Sequence, residues 1–143
     1  MRMVRKVTVD VVYAMNVGVP YTLSQHKLES QLEEKLKSAG LRVLSKSLDA
    51  NDKENNPVVK LYVYALPVSA EGGAVVACTY RIDVSVHQAG RVPLNGSAAP
   101  VELWHSGNIG FSLKESFAQD IQAMVDRISS ELVARLQVDN GKS

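Results

Sequence analysis

The chain has 143 residues, enough for one domain with one hydrophobic core. Its hydrophobic fraction of 45% and charged fraction of 22% are those of an ordinary globular domain rather than a disordered or fibrous chain. Sixteen basic against fifteen acidic residues leave a net charge of +1, which gives no global field to draw in nucleic acid or an anionic membrane.

The first predicted element runs from Met3 to Tyr13. Val7, Val9, Val11 and Tyr13 alternate with Lys6, Thr8 and Asp10, the pattern of a half-buried strand. Asn16-Val-Gly-Val-Pro20 punctuates the chain. Thr22 and Gln25 form a capping-box pattern before a helix that reaches about Ala39, with Leu28, Leu32, Leu36 and Ala39 on one stripe. Gly40 stands where a left-handed helix cap belongs.

Leu41 to Leu48 is read as the second strand and Asn51 to Pro57 as a polar loop. Val58 to Val68, rich in β-branched and aromatic residues, is the third strand, closed by a turn over Ser69 to Gly73. Ala74 to His87 is the clearest strand. Val76, Cys78, Tyr80, Ile82, Val84 and Val86 take one face, and Ala77, Thr79, Arg81, Asp83, Ser85 and His87 take the other.

Gln88 to Pro100 reads as a connection that includes a bulged strand extension, and Val101 to His105 starts the last strand. Trp104 to Gly110 reads as an irregular corner, its glycines turning the chain into a second helix. That helix is expected to open on a Ser112/Glu115 capping box and to run to about Val138. It carries Phe117, Ile121, Met124, Val125, Ile128, Leu132 and Leu136 on one face.

The order β-α-β-β-β-β-α, as a single domain over residues 1–143, predicts a two-layer α+β sandwich. The first strand, helix and second strand suit a crossover connection, the later strands suit antiparallel pairing, and both helices are expected on one face of the sheet.

No residue pattern points to catalysis. Cys78, the one cysteine, lies mid-strand on the apolar face, where a thiol behaves as a small hydrophobe; a single cysteine also excludes an intramolecular disulfide. Ser106 lacks the Gly-x-Ser-x-Gly setting of a nucleophile elbow. His26, His87 and His105 have no partners at metal-ligand spacing, so no metal is expected. Gly107-Asn-Ile-Gly110 lacks both the Lys-Ser/Thr pair of a phosphate loop and the dinucleotide glycine triplet, so no cofactor is expected. Asn95-Gly-Ser97 has the form of a glycosylation acceptor and carries little weight alone.

Two surfaces remain. Arg81 on the outer strand face, joined by Tyr62 and Tyr64 if their strand presents them there, would make an interface for a protein partner or a homo-oligomer. Trp104, His105 and Asn108 would make a ligand-binding corner, the small-ligand or enzymatic alternative. The balance favours a non-enzymatic binding or accessory module.

Three stretches resemble a family of small uncharacterised bacterial proteins, many of them exported. They are Tyr21-Thr-Leu-Ser-Gln-His-Lys-Leu-Glu29 with Leu36-Lys-Ser-Ala-Gly40-Leu-Arg-Val-Leu44; Leu61-Tyr-Val-Tyr64 with Tyr80-Arg-Ile-Asp-Val-Ser-Val86; and Leu103-Trp-His-Ser-Gly107 with Ala123-Met-Val-Asp-Arg-Ile128 and the ending Leu136-Gln-Val-Asp-Asn140. The resemblance implies an α+β fold with no established activity and a place in the bacterial envelope. No apolar run approaches the roughly 20 residues of a membrane-spanning helix, and Met1 to Lys6 has no signal-type apolar core. A periplasmic or exported site therefore follows if a leader has been removed, and a cytoplasmic site otherwise.

Overall fold

The structure, a computed structural model, describes residues 4–15, 24–44, 56–91 and 94–141. The elements are β1 (Lys6–Met15), α1 (Gln25–Ser38), β2 (Arg42–Leu44), β3 (Val58–Ser69), β4 (Val75–Arg91), β5 (Ala98–Leu113) and α2 (Phe117–Asp139). A single turn of 3-10 helix, Lys114–Ser116, joins β5 to α2.

The five strands form one mixed sheet in the order β2-β1-β3-β4-β5. β1 pairs in parallel with both β2 and β3. The β3-β4-β5 half is antiparallel, as hairpin-linked strands allow. The β3–β4 turn closes with the Gly73 N–H donating to the Ala70 carbonyl, and Gly72 and Gly73 carry the positive φ angles that the turn requires.

Both helices cover one face of this sheet, giving the expected two-layer α+β sandwich. Leu28, Leu32 and Leu36 of α1 and Phe117, Ile121, Val125, Ile128, Leu132 and Leu136 of α2 are buried. They meet Val7, Val9 and Val11 of β1, Val59, Leu61 and Val63 of β3, and Cys78, Tyr80, Ile82, Val84 and Val86 of β4 in one core. Met124, also placed on the apolar stripe, packs at its margin. The two helices are tied to each other by Gln31 Nε2, which donates to the Gln122 carbonyl at 2.8 Å, and by a Lys35–Asp126 ion pair at 3.0 Å.

The helix ends show why the segments stop where they do. Ser24 caps α1, its Oγ accepting from the Lys27 N–H at 3.0 Å. Thr22, half of the expected capping box, lies outside the described residues. Gln25 instead sends its side-chain amide to the Val11 carbonyl at 3.0 Å, tying α1 to β1. Gly40, at φ 88°, ends the helix as expected: its N–H donates to the Lys37 carbonyl and the Leu41 N–H donates to Leu36. At the other end of the chain Asn140 binds Val4 twice. Its Oδ1 accepts from the Val4 N–H at 2.8 Å, and its Nδ2 donates to the Val4 carbonyl at 2.9 Å.

The last strand departs from the sequence reading. Trp104 to Gly110 is no corner: β5 runs unbroken through it to Leu113. Ser112 is therefore a buried strand residue, and the N-cap position of α2 falls to Ser116, which makes no side-chain capping bond. The Ser112 hydroxyl donates instead to the Asp120 carboxylate. The bulge lies earlier, where Trp104 opposes Val86 and Glu102 opposes His87. Of the predicted second strand only Arg42–Leu44 is described as strand. The rest of it, the Asn16–Pro20 punctuation and most of the Asn51–Pro57 loop lie outside the described residues.

Candidate functional site

The sheet face opposite the helices is covered by no described element. Its composition follows from register, because side chains on a strand alternate faces and those opposed across a ladder share one. Tyr64 opposes Arg81, which opposes Ile109. Tyr62 opposes Asp83, which opposes Gly107. Lys60, Ser85 and His105 make the next row to one side, and Leu66, Thr79 and Phe111 the next to the other. The sequence left open whether β3 brings Tyr62 and Tyr64 to the face of Arg81; the register places all three there.

The middle of this face is polar and ordered. Asp83 accepts at both carboxylate oxygens: Arg81 Nε donates to Oδ2 at 2.7 Å, and His105 Nε2 lies 3.0 Å from Oδ1. Arg81 and His105 are exposed, while Asp83 is the sheltered member. In water such a cluster contributes only about 0–1 kcal/mol per pair, so it orients groups more than it stabilises the fold. With both oxygens engaged, Asp83 is an anchor rather than a free base. Beside it the Tyr62 and Tyr64 rings stack at 6.5 Å between centroids, and the Ser85 hydroxyl lies 2.8 Å from His87 Nε2.

Gly107 explains how the cluster fits. A Cβ on residue 107 would collide with the Asp83 carboxylate and come within 2.9 Å of the Ile82 carbonyl. The glycine read from sequence as a corner is a vacated side-chain position that Asp83 fills.

One end of the same face is apolar. Ile109 is 71% exposed, Phe111 60% and Leu113 57%, and exposed Leu66 lies across the sheet in the row of Phe111. The sequence reading missed this strip. Its signal was the alternation of Ile109, Phe111 and Leu113 with Asn108, Gly110 and Ser112, masked by the two glycines.

The three corner residues do not come together. Trp104 is on the helix side, packed against the core. Asn108, opposite buried Ile82, is on that side too, its Oδ1 accepting from the Ile109 N–H. His105 points to the open face with Asp83. Among the described residues no group of three or more His, Cys, Asp or Glu side chains is placed to hold a metal ion. No helix described is long and apolar enough to cross a membrane.

Similarity to known proteins lies in structure rather than in sequence. No family model matches the chain, and no curated protein matches it. The fold is similar to that of a hypothetical protein of Chlamydia trachomatis. That structure aligns with a TM-score of 0.52 at 12% identity, over 94% of this chain and 96% of that one. PelC of Paraburkholderia phytofirmans, solved as a dodecamer, aligns at 0.49 and 17% identity over 94% and 91%. A minor lipoprotein of Acinetobacter baumannii aligns at 0.45 and 12% identity over 97% and 95%. Small bacterial lipoproteins thus recur among the similar structures. At these identities the likeness establishes the fold alone.

Proposed function

We propose that this chain is a non-enzymatic protein-binding or accessory module that works through its open sheet face. The observation that carries this reading is the composition of that face. A stacked tyrosine pair, an oriented Arg81–Asp83–His105 cluster and an exposed apolar strip lie side by side on one rigid sheet. Aromatic and arginine side chains beside exposed apolar area are the composition of protein interfaces. The Nη groups of Arg81 make no hydrogen bond among the described residues, which leaves them for a carboxylate or carbonyl of the partner.

The same proposal places the chain in the bacterial envelope, on the resemblance carried by the three stretches named above. Fractionation of cells producing the complete natural protein checks the location. A photo-crosslinking residue checks the face. Placed at Arg81 it should give adducts that disappear when Tyr64→Ala is added, and placed at exposed Lys37 on α1 it should give none. Equal labelling from both positions would remove the reading.

A further inference from the structure

β2 and β5 are the outer strands of the described sheet. β5 has sixteen residues, and among the described residues nothing pairs with its outer side. Natural edge strands of that length carry lysines, prolines or bulges that discourage pairing. The stretch from Trp104 to Leu113 has no Lys, Arg, Asp, Glu or Pro, and the ladder irregularity of β5 falls before it. It is an edge without Lys, Arg, Asp or Glu, unpaired on its outer side among the described residues, and its open-face side chains include exposed Ile109, Phe111 and Leu113.

We propose that the β5 edge pairs antiparallel with β5 of a second copy of this chain, about a twofold axis at Asn108, joining two sheets into one. This goes beyond the reading of the open face: the contact lies along the edge of the sheet and leaves the surface around Tyr64 and Arg81 uncovered.

Charge favours the same orientation. The stretch is flanked by exposed Glu102 on one side and by exposed Lys114, followed by Glu115, on the other. An antiparallel copy brings Glu102 of each chain to the Lys114 end of the other, while a parallel copy would set like charge beside like. Side-chain fit selects the same register. With Asn108 on the axis, Ile109 of each copy stands opposite Gly107 of the other, and Phe111 opposite His105. Gly107 cannot carry a side chain, because the Asp83 carboxylate occupies its Cβ position. Position 107 has no side chain of its own, and Ile109 of the two copies, the nearest members of the two apolar strips, become diagonal neighbours across the axis. A twofold arrangement is closed, so it yields a dimer and not a fibre.

The test uses the whole chain. Light scattering after size exclusion should give the mass of a dimer that dissociates on dilution, and Ile109→Lys should give a folded monomer that still melts cooperatively and whose midpoint no longer depends on protein concentration, since residue 109 is exposed in the single chain. Asn108→Cys should form a disulfide-linked dimer under mild oxidation, because an antiparallel pair sets opposed Cα atoms about 4.5–5.5 Å apart, within disulfide range. Cys78 is buried and does not compete. Leu94→Cys, at the exposed tip between β4 and β5, should not cross-link. A wild-type chain that is monomeric at every concentration overturns the proposal. So does a dimer that survives Ile109→Lys or fails to cross-link through residue 108. A dimer that resists Ile109→Lys but dissociates with Tyr64→Lys would place the copies face to face, overturning the edge pairing while keeping the open-face reading.

Discussion

The Tyr80 ring occupies the place where a side chain on Gly110 would stand. A Cβ added to residue 110 would overlap the ring carbon that bears the hydroxyl and the hydroxyl oxygen itself. Tyr80 is buried and meets Phe117 edge-on at 6.4 Å between centroids, so the ring has little room to retreat. The glycine in the edge strand is set by the aromatic residue in the strand beside it.

Gly110→Ala should therefore destabilise the protein, although alanine is the better strand residue. Overpacking of this kind costs about 1–3 kcal/mol. Urea denaturation should show a lower midpoint with an unchanged slope, and Tyr80→Leu, which removes the ring, should shrink the penalty of the alanine in a double-mutant cycle.

Ile128→Asp tests the face of α2 that meets the sheet. Ile128 is 1% exposed in the shared core. An unpaired carboxylate there should cost at least about 3–5 kcal/mol, enough to unfold a domain of ordinary stability. A folded, cooperative variant by circular dichroism would show that this face does not meet the sheet.

Ser129, next to it, is expected to behave in the opposite way. It is 1% exposed, and its Oγ has no hydrogen-bond partner among the described residues. Ser129→Ala removes an unsatisfied buried hydroxyl and improves helix propensity, so it should stabilise by about 1 kcal/mol. Loss of stability on that change would reveal a partner for the hydroxyl.

Alkaline pH should weaken the fold through Tyr80. Burial pushes its hydroxyl above the ordinary value of 10.0, the nearby Asp120 charge adds to the rise, and Arg127 opposes it. In the unfolded chain the phenol ionises near pH ~10, where the folded protein still holds its proton. The stability this proton represents is fully present below the unfolded value and is lost as pH rises toward the folded one. Cys78, raised from 9.0 by burial, acts in the same direction. Stability measured from neutral to pH about 11 should fall, and the fall should be shallower in Tyr80→Phe. An identical slope in that variant would remove Tyr80 as the cause.

Much of this fold was legible in the sequence because single periodic patterns dictated it. The leucines of α1 and the long apolar face of α2 are buried as their spacing requires, and the alternation in β1 and β4 places their core faces. β5 was harder to read for a tertiary reason. Gly107 and Gly110 look like turn residues until Asp83 and Tyr80 of the neighbouring strand are seen to fill their side-chain space. A local signal also misplaced the N-cap of α2: Ser112 resembles a cap residue but is buried at the end of a strand. The open-face cluster required the β3–β4–β5 register, which no single segment encodes, and the parallel pairing of β1 with β3 joins segments separated by a whole helix and strand.

The double hydrogen bond between Val4 and Asn140 sets the first and last described stretches side by side, on the same end of the molecule. A circular permutant could therefore join them through a short linker and reopen the chain between Gly72 and Gly73, at the exposed turn of the β3–β4 hairpin. Such a rearranged protein would retain every layer of the sandwich, and its new termini would emerge at the opposite end of the sheet from the old ones.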